Sequence, residues 1–200
     1  MGRMHVTPPT YQLKITLREI EPEIWRRILV PGDIALAKLH SVIQVAMGWS
    51  NSHLHSFDIS GVKYGMPNPE LEIVDHRRVA LARAARNANQ FVYEYDFGDC
   101  WKHDVVVEKV YARPTGHKLP ALVDGERACP CEDSGGCPGY ADLLEALADP
   151  THEDHERLRG WAGDDFDPET FDRVRIAKEL HAVARKSRPR TRRAAPHAAP

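Results

Sequence analysis

The chain has 200 residues, 42% hydrophobic and 28% charged, which suits one well-cored globular domain with an appendage better than two full domains. No apolar run approaches the roughly 20 residues of a bilayer span, and the opening "MGRMHVTPPTYQ" lacks the apolar core of a signal peptide. The net charge of -2 divides unevenly: Arg185, Lys186, Arg188, Arg190, Arg192 and Arg193 place six positive charges and no acid on residues 185–200, so the rest of the chain is acidic and is no broad nucleic-acid face.

In chain order, residues 1–9 read as a flexible N-terminus. "YQLKITLREI" then alternates Tyr11, Leu13, Ile15 and Leu17 against Gln12, Lys14, Thr16 and Arg18, the period of a half-buried strand. "EIWRRILVPG" predicts a second strand, with Trp25 and Arg27 on one face and Ile24, Arg26 and Ile28 on the other. The period then changes. Leu36, Leu39, Val42, Ile43, Ala46 and Met47 recur at three- and four-residue steps, which marks an amphipathic helix, with Asp33 as its start signal and Gly48 as its C-cap. "HLHSFDIS" and "KYG" predict a strand pair turned at Ser60-Gly61, "MPNPELE" a loop and "VALARAARNAN" a short helix.

"FVYEYDFGDCWKHDVVVEKVYA" is the densest strand signal, two limbs joined by Phe97-Gly98-Asp99-Cys100. A Pro/Gly-rich stretch follows, carrying three cysteines in "ACPCEDSGGCPGY". Three helices are expected beyond it. One bears Tyr140, Leu143, Leu144 and Leu147, one starts after Thr151, and one starts at Asp167-Pro168-Glu169 with Phe171, Val174, Ala177 and Val183 as its apolar face. The expected architecture is α+β: a mostly antiparallel or mixed sheet with an early crossing helix, in a ββαββ-like order, and a helical C-terminal part. It fills residues 10–184 as a single domain. Residues 185–200 read as a disordered basic tail that touches polyanions weakly and without sequence preference, or that merely keeps the chain soluble.

Candidate chemistry gathers around two histidines and one turn. On a strand, His53 and His55 would point to the same face and could reach one metal; equally, they suit two exposed polar residues flanking Leu54. Glu94 and Asp96 share a strand face, as do Trp101 and His103, with Asp99 in the turn between the limbs. If this hairpin lies against the histidine strand, His53, His55, Asp96 and His103 become candidate ligands for Zn or Mn. The competing reading is turn chemistry, with Asx side chains capping backbone amides and Gly98 at positive φ. The C-x-C-x5-C spacing of Cys129, Cys131 and Cys137 fits a zinc knuckle poorly. Four cysteines make no disulfide scaffold, so a reducing, cytoplasmic setting is expected. No cofactor is favoured, and no phosphate loop, dinucleotide fingerprint or G-x-S-x-G motif is present.

Taken together, "YQLKITLREIEPEIWRRILVPGD", "LAKLHSVIQVAMGWSNSHLHSFDI", "YEYDFGDCWKHDVVVEK", "CPCEDSGGCPGYADLLEALADPTHEDH" and "FDPETFD" resemble the plasmid pRiA4b ORF-3-like family over about residues 10–180. The resemblance implies a protein carried by plasmids or insertion sequences; some members carry TnpR-like labels. It also implies weight on Trp25, Arg26, Arg27, Leu39, His40, Gly48, Trp49, His53, His55, Tyr93, Asp96, Gly98, Asp99, Trp101, His103, Glu132, Asp133, Gly135 and Gly136. The chain departs from the family's C-P-P-E-D-C-G-G-P-P-G-Y segment, with Ser134 at one cysteine place and Cys131 and Cys137 at proline places. That leaves the Glu132-Asp133-x-Gly-Gly turn as the shared element. No recombinase or resolvase arrangement accompanies it. The expected function is a non-enzymatic binding or accessory module with a protein or nucleic-acid partner. The alternatives are a metal-dependent hydrolase or nuclease-like enzyme using the His/Asp residues, and non-specific nucleic-acid binding through the tail.

Overall fold

The fold comes from a computed structural model that describes residues 7–68, 70, 72–112 and 116–186. β1 (Thr10–Leu17) follows its alternation: Leu13 and Ile15 are fully buried, while Gln12, Lys14 and Thr16 keep the other face partly open. β2 (Trp25–Pro31) pairs with it antiparallel, from Thr10 opposite Pro31 to Thr16 opposite Trp25. α1 (Leu36–Met47) buries the six apolar residues that defined its stripe. Gly48 ends the helix in the left-handed region, and its N–H donates to the Gln44 carbonyl. Asp33 is not the cap; Ala35 holds that place and offers no side-chain bond.

β3 (His55–Ile59) and β4 (Val62–Gly65) form the expected hairpin, and β5 (Ile73–Asp75), just after the expected 66–72 loop, adds a short parallel strand that the sequence pattern leaves unassigned. α2 (Leu81–Ala84) is a single turn. β6 (Gln90–Tyr95) and β7 (Trp101–Tyr111) are the two limbs around the Asp96–Cys100 turn. β8 (Ala121–Glu126) lies within the stretch expected to be a Pro/Gly-rich loop, and it pairs with β2. The eight strands run β5-β4-β3-β6-β7-β1-β2-β8, antiparallel except at the β4–β5 edge. This is the α+β class, with one mixed sheet. One face carries the core shared with α1. The other face carries cross-strand polar pairs, including a two-point Arg27–Glu108 ion pair at 2.7 and 2.8 Å and an Arg18–Asp104 pair at 2.6 Å.

The helical part begins with α3 (Gly136–Ala148), four residues before the expected Tyr140 start. α4 (His155–Ala162) starts after Asp154 rather than Thr151, because Thr151 instead donates to Asp149. α5 (Arg173–Lys186) starts later than expected. Asp167 closes a local turn by accepting from the Glu169 amide at 2.9 Å and from the Thr170 hydroxyl at 2.9 Å, whereas Asp172 accepts from the Arg175 amide at 2.9 Å. The shift turns the apolar face as well: Val174 is 81% exposed, and Ile176 and Leu180 enter the core. α5 packs on β8 and α1. It includes Arg185 and Lys186, the first two residues assigned to the tail; Arg188, Arg190, Arg192 and Arg193 lie outside the described residues. Among the described residues no helix is long and apolar enough to cross a membrane.

Candidate functional site

At the end of the sheet where β3 begins and β6 turns into β7, three segments distant in sequence are tied together. The first is the 49–53 loop, which leads from α1 to β3. Trp49 Nε1 donates to the Pro130 carbonyl at 2.9 Å, and the Ser50 amide donates to Glu132 Oε2 at 3.1 Å. The Ser50 hydroxyl and the Tyr95 phenol also donate to the Glu132 carboxylate. Tyr95 Oη in turn accepts from the Ser52 amide at 3.0 Å and the His53 amide at 3.3 Å.

The second segment is the Asp96–Cys100 turn. Asp96 and Cys100 take left-handed φ values of 56° and 57°, whereas Gly98, expected to supply the positive φ, does not. Asp96 Oδ1 accepts from the Gly98 amide at 2.9 Å, so the Asx-turn reading holds. The third segment is Glu132-Asp133-Ser134-Gly135-Gly136. Asp99 Oδ2 accepts from the Gly135 amide at 3.1 Å. Gly136, at φ 69°, sits so close that a Cβ would lie 2.6 Å from the Asp99 carbonyl oxygen. Only glycine closes this contact.

These ties bring His53, Asp96, Asp99, Glu132 and Asp133 together. His53 Nε2 lies 3.0 Å from Asp133 Oδ1 and 3.6 Å from Asp96 Oδ2. The 3.0 Å approach is not aligned as a hydrogen bond, and Nε2 is shielded from solvent with no hydrogen-bond partner. One ligand atom from each of the three residues lies within 4.8 Å of the others.

The remaining predicted residues lie elsewhere. β3 begins only at His55, so the strand alternation that would align the two histidines does not reach His53. His55 turns inward and stacks on His40, with ring centroids 3.4 Å apart, and burial pulls its pKa down to about 3. His103 is fully buried, and burial lowers it to about 4. Neither belongs to the His53 group. Trp101 is a core residue near Trp49, with centroids 6.1 Å apart. Glu94 faces the other side of the sheet, in a groove with Ser56 and Lys63.

Burial alone would raise the Glu132 pKa, but hydrogen bonds from Ser50 and Tyr95 hold it below the usual carboxylate value. The same buried contact pushes the Tyr95 phenol well above its ordinary value, burial first and Glu132 second. All four cysteines are free thiols. Burial raises the pKa of Cys129, Cys131 and Cys137, which makes them poor nucleophiles and poor ligands.

Sequence reasoning left Ser50 and Tyr95 outside the candidate cluster. Tyr95 carried a signal, since it sits one residue before the turn on the buried parity of β6. Ser50 carried none, because its partner lies 82 positions away.

Fold and junction together define a class: an α+β domain with one open-faced sheet and a His/Asp loop junction at the strand ends. The chain belongs to the plasmid pRiA4b ORF-3-like protein family, whose pattern matches residues 9–175. It is 40% identical over 187 residues to the uncharacterized protein y4hQ of Sinorhizobium fredii, covering 91% of this chain and 96% of that one. It also resembles the crystal structure of MM3350, a protein of unknown function from Methanosarcina mazei. The TM-score is 0.78 and the identity 38%, across 87% of this chain and 98% of the other.

Proposed function

We propose that the domain is a non-enzymatic binding or accessory module whose working surface is the loop junction. The observation that carries this reading is the tying of three sequence-distant segments around groups left open to solvent. The Asp133 side chain is 72% exposed beside His53, and Leu54, which follows His53, and Phe97, which follows Asp96, are 59% and 46% exposed. Phe97 also borders a groove of about 870 Å³ lined by Ser56, Lys63, Val74 and Glu94. Large apolar side chains exposed on a rigid, charged surface are the composition of a docking site. The groups that would serve acid–base chemistry support the same reading. Asp99 and Glu132 are engaged in holding the loop, the fully buried His103 and the half-buried His55 have lowered pKa values, and three thiols are raised.

The test is recovery of binding partners from the producing cell on immobilised protein, with Phe97→Asp as the matched control. A partner retained by the native chain and reduced at least tenfold by Phe97→Asp, at unchanged melting temperature, is the expected result. Partners held equally by both proteins would overturn the reading. A metal-dependent hydrolase reading draws on the His53–Asp96–Asp133 group. Turnover of a phosphodiester or ester by Mn²⁺-loaded protein, lost in His53→Ala, would replace the binding module with that enzyme.

A further inference from the structure

Asp96 is a buried carboxylate whose two oxygens have different surroundings. Oδ1 accepts from the backbone amides of Gly98 at 2.9 Å and Asp99 at 3.4 Å, while Oδ2 faces His53 Nε2 at 3.6 Å. Asp133 Oδ1 approaches the same nitrogen from the opposite loop at 3.0 Å. The imidazole is set edge-on to Tyr95, centroids 5.8 Å apart, and its Nε2 makes no aligned hydrogen bond to either acid. An imidazole nitrogen without a hydrogen-bond partner, flanked by two carboxylate oxygens, is an arrangement a cation satisfies.

The distances agree with that reading. Two ligand atoms, each about 2.1 Å from one metal, lie about 3.0 Å apart at a right angle and about 3.4 Å apart at the tetrahedral angle. The observed 3.0 and 3.6 Å from His53 Nε2 fall around these values, and one ligand atom from each of the three residues lies within 4.8 Å of the others.

We propose that His53 Nε2, Asp96 Oδ2 and Asp133 Oδ1 form a site for one divalent first-row cation of the manganese, cobalt or zinc class. One nitrogen and two oxygens, without thiolate, suit these borderline and hard ions. Three protein ligands leave positions open to water or to an oxygen donor of a bound partner. Two carboxylates balance the charge of the ion, so the centre is close to neutral. The ion would tie the Asp96 turn to the Asp133 loop directly, in addition to the existing Asp99–Gly135 bond. The inference extends the binding-module reading, and its test reads the metal itself.

The substitutions can be chosen to spare the fold. Asp96 and Asp133 hold left-handed φ values of 56° and 60°, which asparagine tolerates. In Asp96→Asn the amide oxygen still caps the turn while the ligating oxygen becomes NH₂, and Asp133→Asn keeps its shape. Protein stripped with chelator and dialysed is titrated with Mn²⁺, free ion being read by electron paramagnetic resonance, and separately with Co²⁺, read by visible absorption.

The expected result is one ion per chain. Affinity should fall at least tenfold in each of His53→Ala, Asp96→Asn and Asp133→Asn, with melting temperatures of the stripped proteins close to native. Partner capture by the native chain stripped of metal is read beside the titration, so partner docking and metal binding can fail separately. Three results would overturn the proposal. These are no saturable uptake, which would leave a His53–Asp133 ion pair only; uptake unchanged in the His53→Ala/Asp133→Asn double variant; and a thiolate-to-cobalt charge-transfer band, which would place the ion on the cysteines.

Discussion

Arg26 tests how far the fold depends on a buried cation. It is 1% exposed on the core face of β2, and its guanidinium donates to backbone carbonyls. Its Nε donates to the Ala46 carbonyl at 2.8 Å, Nη1 to the Trp25 and Glu126 carbonyls at 2.8 and 2.7 Å, and Nη2 to the Arg127 carbonyl at 2.7 Å. Nη2 also meets Cys129 Sγ at 3.5 Å, and the Phe171 ring lies 4.7 Å from the guanidinium carbon. The charge is thus held by carbonyl dipoles, one of them in the last turn of α1, where the helix end is negative.

Arg26→Met removes four hydrogen bonds and leaves carbonyls without donors at about 1–3 kcal/mol each, partly relieved by water. A net loss of about 3–5 kcal/mol is expected, four carbonyls at that cost less the relief that water provides. Arg26→Lys keeps the charge but presents its donors from one point. It cannot reach carbonyls on α1, β2 and the segment after β8 at once, and about 2–4 kcal/mol should be lost. Urea unfolding followed by tryptophan fluorescence measures both. At a slope of about 2 kcal/mol/M, the Met variant shifts the midpoint down by roughly 1.5–2.5 M. A Met midpoint within 0.5 M of native (about 1 kcal/mol at that slope), or a Lys variant equal to native, would refute the claim that the fork geometry knits these elements.

Gly136→Ala places its Cβ 2.6 Å from the Asp99 carbonyl at an unfavourable φ, so the 128–139 loop should become at least tenfold more sensitive to limited proteolysis; unchanged cleavage would mean the contact yields freely. Burial lowers His40 to about 4, His55 to about 3 and His103 to about 4, below the unfolded value of about 6.5. The unfolded chain therefore takes up protons first as pH falls. Stability should be complete above about pH 6.5 and decline toward pH 4 by up to about 4 kcal/mol per pH unit for three protons. A flat profile between pH 6.5 and 4.5 in thermal denaturation would contradict the burial of these rings. Among the four thiols, Cys100 is exposed, while Cys129, Cys131 and Cys137 are partly covered and raised. Ellman's reagent at pH 7.5 should titrate one thiol quickly and three slowly, and a Cys100→Ser protein should lose the fast phase.

Local periodicity carried much of the fold. The alternation of Tyr11 to Leu17, the stripe on α1 and the two limbs around Asp96–Cys100 were all legible, because each element satisfies its own burial pattern over six or more residues. β8 was not legible. Its intermediate burial at Leu122, Val123 and Asp124 shows no alternation, and only the pairing with β2 makes it a strand. Asp167-Pro168-Glu169 is a strong start signal that predicts α5 ahead of the observed Arg173, yet the Asp167 side chain closes an isolated turn.

The junction was half legible. The Asp96 turn and the Glu132-Asp133 pair stood out as polar groups in strained segments, but their meeting depends on Asp99 reaching Gly135 across 36 positions. Arg26 had a visible sign, since it shares parity with Ile24 and Ile28. Charge alone argued against reading that parity as burial.

The strand order also fixes when this chain can fold during synthesis. β1 lies between β2, its sequence neighbour, and β7, whose Tyr111 sits opposite Thr10. β2 likewise waits for β8, with Glu126 opposite Trp25. The β1–β2 hairpin therefore emerges with two unpaired edges, the β1 edge open until Tyr111 and the β2 edge until Glu126 have emerged, an exposure that invites pairing with other nascent chains. At a translation rate of about 5–20 residues per second, that interval lasts roughly 5–20 s. The yield of native protein should thus depend on elongation rate and on holding chaperones, and Lys14 and Arg27 on the solvent face help keep those early edges apart.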